Sequence, residues 1–185
     1  MLQVASVFER KGTPSPVSVR SLKLSTAQVQ DYLTLVWRIR TPIVQKQSPA
    51  KLVASTLSRL LGDSVSEYAY VDFASGAGGP TPFIERALNR QIAARNDHTE
   101  AVKFVLTDLK PHTEAWKSLT KKSENLSYVA EGVDAANAPR DLLQDVEGVQ
   151  DKKVMRLFSL AFHHFDDGLA ARILDNTADT ADGFW

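Results

Sequence analysis

Cysteine is absent from all 185 residues, which excludes disulfides, thiolate metal sites and cysteine nucleophiles together. Net charge is absent as well: 22 Lys and Arg balance 22 Asp and Glu, so no global field draws the chain to nucleic acid or anionic lipid. Long apolar runs are missing. The stretch Phe158-Ser159-Leu160-Ala161-Phe162 falls far short of the ~18–20 residues of a membrane helix and reads as part of a buried strand. Met1 to Gly12 carries charges after only a few apolar residues and lacks a secretory h-region. A cytoplasmic protein with no nucleic-acid and no membrane partner is the expectation. Internal repeats and low-complexity segments are not evident either.

What is present suffices for a core. A hydrophobic share of 43% with 24% charged residues is ordinary for a globular domain of this length. Residues 1–65 read as an N-terminal arm with helices, a lid or packing segment. Gly12, Pro14 and Pro16 mark the arm, and Ser25-Thr26-Ala27-Gln28 matches a capping box. Val29, Tyr32, Leu33, Val36 and Ile39 continue at helical spacing until Thr41-Pro42 interrupts it. Tyr32 and Trp37 lie in this stretch, as packing residues or as part of a substrate lid. Ser48-Pro49 then opens a second helix with Leu52, Val53, Thr56, Leu57, Leu60 and Leu61 on its apolar face, and Gly62 stops it.

Residues 66–185 alternate. Strands are expected near 67–72, 102–107, 126–130 and 154–162, and helices near 82–95, 113–119, 140–146 and 168–176. Such alternation specifies a mainly parallel sheet with helices on both faces.

The first strand ends in Asp72, and Phe73-Ala74-Ser75-Gly76-Ala77-Gly78-Gly79 follows as a small-residue loop before helical Phe83, Ile84, Ala87, Leu88 and Ile92. Strand, tight loop and helix bring a nucleotide-like group against bare backbone. A dinucleotide site fits poorly. Gly76, Gly78 and Thr81 supply two of its three glycines, the next strand-end acid, Asp108, lies thirty residues past Gly78 rather than the expected ~20, and Asp72 would repel a pyrophosphate. No Lys-Ser or Lys-Thr follows the glycines, so a phosphate-cradling loop of the Walker type is excluded. A cofactor carrying an ammonium and a sulfonium makes Asp72 an asset, and Asp108 can accept from both hydroxyls of a ribose.

Asp72-Phe73-Ala74-Ser75-Gly76-Ala77-Gly78 resembles the first motif of class I S-adenosylmethionine-dependent methyltransferases, an acidic residue followed by x-Gly-x-Gly-x-Gly. Leu106-Thr107-Asp108-Leu109 resembles that family's ribose-binding acid. Gly132-Val133-Asp134-Ala135 is similar to its adenine-binding turn. Leu157 to Asp167, an aliphatic run into His163-His164 and acidic residues, is similar to the fourth-strand segment of many small-molecule members. The resemblance spans about 66–185. It implies a Rossmann-like three-layer α/β/α sheet binding S-adenosylmethionine through Asp72, Ala74, Ser75, Gly76, Gly78, Asp108, Leu109, Val133, Asp134, Ala135 and Phe162. It also implies methyl transfer to a small-molecule acceptor, with His163 or His164 as a general base.

Two departures accompany it. Ala74 replaces the loop's first glycine, a change the loop accommodates if φ is negative there. The sequence also stops where a fifth strand begins, so the last strands of a seven-stranded sheet are expected to be missing.

Blander readings stand beside each site. Asp108 could cap a helix, Asp134 could cap its own turn, and the histidines could end a strand on opposite faces. A His-pair metal site lacks a third ligand. Apart from the methyltransferase, the second reading is a truncated, catalytically impaired binding protein that forms a homodimer through an open sheet edge. NAD-dependent oxidoreduction is third.

Overall fold

The computed structural model describes residues 47–95 and 99–185. The N-terminal arm, the 25–28 capping box and the helix carrying Tyr32 and Trp37 lie outside the described residues.

Helix α1, Pro49–Leu61, begins as the sequence dictates, with Ser48 in extended backbone and proline at the first position, although the Ser48 hydroxyl makes no cap hydrogen bond. Gly62 ends it at φ +57, a conformation that costs glycine little. A 3-10 turn, Gly62–Glu67, leads into strand β1, Tyr68–Asp72. Then come α2, Thr81–Ala93; β2, Lys103–Leu106; α3, Thr113–Thr120; and β3, Leu126–Tyr128. Strand β4, Lys153–Leu157, a 3-10 turn at Phe162–His164, α4, Asp167–Thr180, and β5, Gly183–Phe184, complete the chain.

The five strands form one all-parallel sheet in the order β3-β2-β1-β4-β5. This is a Rossmann-like α/β fold. Tyr68-Ala69-Tyr70-Val71 suits the central strand, because a strand covered on both faces needs an apolar run rather than alternation. Tyr70, Phe104, Leu106, Met155 and Leu157 pack on one face beneath Ala54 and Leu57 of α1, Ile84 and Leu88 of α2, and Trp116 of α3. Ala69, Val71, Phe73 and Val105 form the other face with Val133, Ala138, Leu143 and Val149.

Three expectations need correction. Strand β4 ends at Leu157, not at Phe162. The apolar run continues as a turn in which Leu160 takes φ +60 and Phe158, Phe162 and Phe165 pack edge to face. Residues 140–146 are turns rather than a helix: Leu142, Gln144 and Val146 donate to carbonyls three residues back. A fifth strand is also present, with Trp185 N and Asp182 N donating to Arg156 O and Val154 O of the β4 edge at 2.8 and 2.9 Å.

Candidate functional site

In the order β3-β2-β1-β4-β5 the connections leave β1 in opposite directions, so β1 and β4 flank the topological switch point, where an open α/β sheet holds ligands beyond its strand ends. Asp72 closes β1 at this point and is completely buried. Its carboxylate accepts from Thr81 Oγ1 at 2.5 Å and from Ser159 N at 3.3 Å. Among the described residues no cation pairs with it. Burial therefore dominates and pushes its pKa up to about 7, against the hydrogen bonding from Thr81 and Ser159 that lowers it, with a small upward push from the Asp108 charge.

The loop behind Asp72 is laced to the neighbouring strands. Phe73 N donates to Leu157 O at 2.9 Å, Thr107 N to Asp72 O at 2.9 Å, and Ser75 N to Thr107 O at 3.1 Å. Ser75 Oγ adds a second bond to Thr107 O at 3.1 Å. Gly76, Gly78 and Gly79 all have positive φ, and so does Ala74, at +54. The negative φ on which tolerance of Ala74 was to rest is thus not observed. An L-residue in the left-handed region costs about 1–2 kcal/mol, stored here at the first position of the loop. Gly78 is favoured by its φ of +112, and a Cβ there would sit 2.4 Å from Leu119 Cδ1, so that side chain would have to move as well.

Asp108 does not cap the following helix, whose N-cap is His112. Its Oδ2 accepts from Gly76 N at 2.8 Å and its Oδ1 from Lys110 N at 2.9 Å. It is half-buried, and each oxygen keeps a lone pair for a further donor. The Gly76 carbonyl is fixed in turn by the buried Trp116, whose Nε1 donates to it at 2.8 Å. Leu109 is exposed beside Asp108.

Next to it, Val133 N donates to Asp108 O at 2.9 Å, which joins the third-strand turn to the second-strand turn. The approach is close: a Cβ on Gly132 would lie 2.7 Å from Leu109 O. Asp134 is exposed and caps its own turn, Oδ1 accepting from Ala136 N at 2.9 Å, while Val133 is buried and Ala135 half-buried.

Asp72, Ser75, Gly76, Gly78 and Asp108 thus form one hydrogen-bonded cluster at the strand ends, with Ala74 in the same loop and Leu109, Val133, Asp134 and Ala135 on its flank. His163 and His164 are placed otherwise than expected. They lie in the 3-10 turn, not on a strand, and rather than pointing to opposite faces their rings sit together with centroids 3.9 Å apart, both exposed. Phe162 packs between Phe158 and Phe165.

Three contributors escaped sequence reasoning: Thr81 and Ser159 on Asp72, and Trp116 on the loop. A hydroxyl in the first turn of the helix after a strand-end acid is a signal that could have found Thr81. A cavity of about 660 Å³ between α1 and α2, bordered by Gln47, Lys51, Phe83, Arg86 and Arg90, includes none of these residues. No protein-family model matches the chain, and no curated protein matches it.

Proposed function

We propose that this chain binds S-adenosylmethionine at the strand ends of β1, β2 and β3 and transfers its methyl group to a small-molecule acceptor. The observation that carries this reading is Asp72: a fully buried carboxylate at the switch point, beside a positive-φ loop, with no cation among the described residues. An ammonium-bearing ligand would supply the missing charge, whereas a pyrophosphate would meet two carboxylates.

The remaining residues fit the same group. Asp108 has acceptor capacity left for ribose hydroxyls, and Asp134, exposed in its turn, has an oxygen left for an exocyclic amine. The cofactor supplies an already activated methyl, so the chain's work is to hold, orient and exclude water. His163 and His164 lie five and six residues beyond Phe158, whose ring stacks on Phe73 beside Asp72. Either imidazole can take a proton from an acceptor hydroxyl or amine.

Calorimetric titration with S-adenosylhomocysteine, with NAD in parallel, tests the reading. Micromolar binding of the former alone is expected. Asp108→Ala should weaken it by about 1.5–3 kcal/mol, the range for a hydrogen bond to a charged group; an unchanged affinity would move the ribose elsewhere.

A second reading, a non-catalytic protein that pairs through its sheet edge, is favoured by Phe184 on β5 and Trp185 just after it, 61% and 45% exposed. A monodisperse monomer in light scattering at micromolar concentration would count against it.

A further inference from the structure

Among the described residues, Arg156 is the one large charged side chain packed inside the second face of the sheet. It stands on β4 opposite Val71 and is only 2% exposed. None of the ion pairs among the described residues includes it. Its guanidinium lies 4.5 Å from the Phe73 ring centre, where the negative π face compensates part of the charge. The N–H groups are spent on neutral acceptors. Nη1 donates to Thr177 Oγ1 at 3.1 Å and, at a longer 3.4 Å, to Ala135 O. Nη2 donates to Asn176 Oδ1 at 2.9 Å and to Thr180 Oγ1.

Burying an unpaired cation is costly, and an apolar side chain of similar volume would fill this space with less penalty. What the cation supplies is a rigid planar fork that engages four acceptors on two separate segments at once. One segment is α4. The other is the irregular stretch 133–138. Asn176 extends the connection, accepting from Ala138 N and donating to Ala138 O, each at 3.2 Å.

The position of Asp134 follows from these bonds. On its N-terminal side Val133 N is held by Asp108 O. On its C-terminal side Ala135 and Ala138 are held by Arg156 and Asn176. Asp134 itself only closes the short turn between them, through Ala136 N and Asn137 N. The spacing between the Asp108 and Asp134 carboxylates is therefore set by two clamps, one on either side of Asp134, of which Arg156 is the buried anchor.

We propose that Arg156 is a positioning residue, a buried unpaired cation that fixes the 133–138 turn so that Asp134 meets the adenine end of the cofactor. This rests on the cofactor reading above. It predicts that Arg156 acts on ligand affinity without touching ligand.

Hydrogen exchange and calorimetry on the full chain, wild type against Arg156→Met and Arg156→Lys, decide it. Arg156→Met keeps the volume and removes the donors. Arg156→Lys keeps the charge but cannot span four acceptors, and it serves if the methionine variant folds poorly. In the ligand-free variants, exchange at the amides of Val133, Ala136, Asn137 and Ala138 should accelerate at least about tenfold, with Val71 and Val105 unchanged. Affinity for S-adenosylhomocysteine and for adenosine should fall roughly tenfold, the loss of about one net hydrogen bond.

Wild-type exchange in the turn, or equal acceleration in β1 and β2, would overturn the positioning role. So would a loosened turn with undiminished affinity. If wild type binds neither ligand, the cofactor reading fails while selective acceleration in the turn still credits Arg156 with holding it.

Discussion

Asp72→Asn is the sharpest perturbation the structure offers, because it should stabilise the fold while harming the site. In the folded chain Asp72 is completely buried, and its pKa stands at about 7 rather than the usual 3.8. A carboxyl whose folded pKa lies above its unfolded one contributes stability that is fully present below the unfolded value and is lost as pH rises through the folded value. The wild type should therefore lose stability between about pH 4 and pH 7. The span from 3.8 to about 7, at about 1.4 kcal/mol per pH unit, gives roughly 4 kcal/mol as an upper figure.

Asparagine keeps an acceptor oxygen for Thr81 or Ser159 but carries no charge. Urea unfolding followed by circular dichroism at pH 5, 6, 7 and 8 should show the smaller gain for the variant at pH 5, where the same arithmetic leaves at most about 1.6 kcal/mol. At pH 8 the gain should reach about 1–4 kcal/mol. A wild-type curve that is flat from pH 5 to 8, together with a variant less stable at pH 8, would refute the claim that burial governs Asp72.

The same carboxyl predicts a pH dependence of binding. A ligand ammonium beside Asp72 favours the ionised form, so below about pH 7 S-adenosylhomocysteine binding should release a proton and tighten by up to about tenfold per pH unit; affinity independent of pH from 5.5 to 8 would place the ammonium elsewhere. Ala74→Gly removes the left-handed penalty at φ +54 and, after glycine's greater chain entropy, should raise stability by about 0.5–1 kcal/mol in chemical unfolding; a loss of that size would mean the alanine methyl makes a contact of its own. Glu85 is buried with Oε1 bonded by Asn89 Nδ2 and Oε2 without a hydrogen-bond partner among the described residues, so Glu85→Gln should gain about 1 kcal/mol in the same assay, and a comparable loss would disclose an ion partner.

The sheet and the small-residue loop were legible because both are local patterns. Tyr68 to Val71 is apolar without alternation, and glycines at 76, 78 and 79 can only punctuate. The extent of β4 was not legible. Phe158 to Phe162 has strand composition, yet its aromatic rings find better partners in one another than in the sheet, and Leu160 reverses the chain at positive φ. Residues 140–146 carry helix formers but are held by bonds to the third preceding residue. Arg156 was invisible for another reason. Nothing adjacent in sequence distinguishes a strand arginine that faces solvent from one whose four acceptors lie twenty or more residues away at 135, 176, 177 and 180.

The pairing of β1 with β4 also bears on how the chain is made. Tyr68 pairs with Lys153, which emerges from the ribosome 85 residues later, or about 4–17 s at typical synthesis rates. Through that interval β1 has only β2 beside it, and its backbone on the other edge stays open to any strand that arrives first. The central position that later shields Asp72 thus makes β1 the segment most exposed to mispairing while the protein is being born.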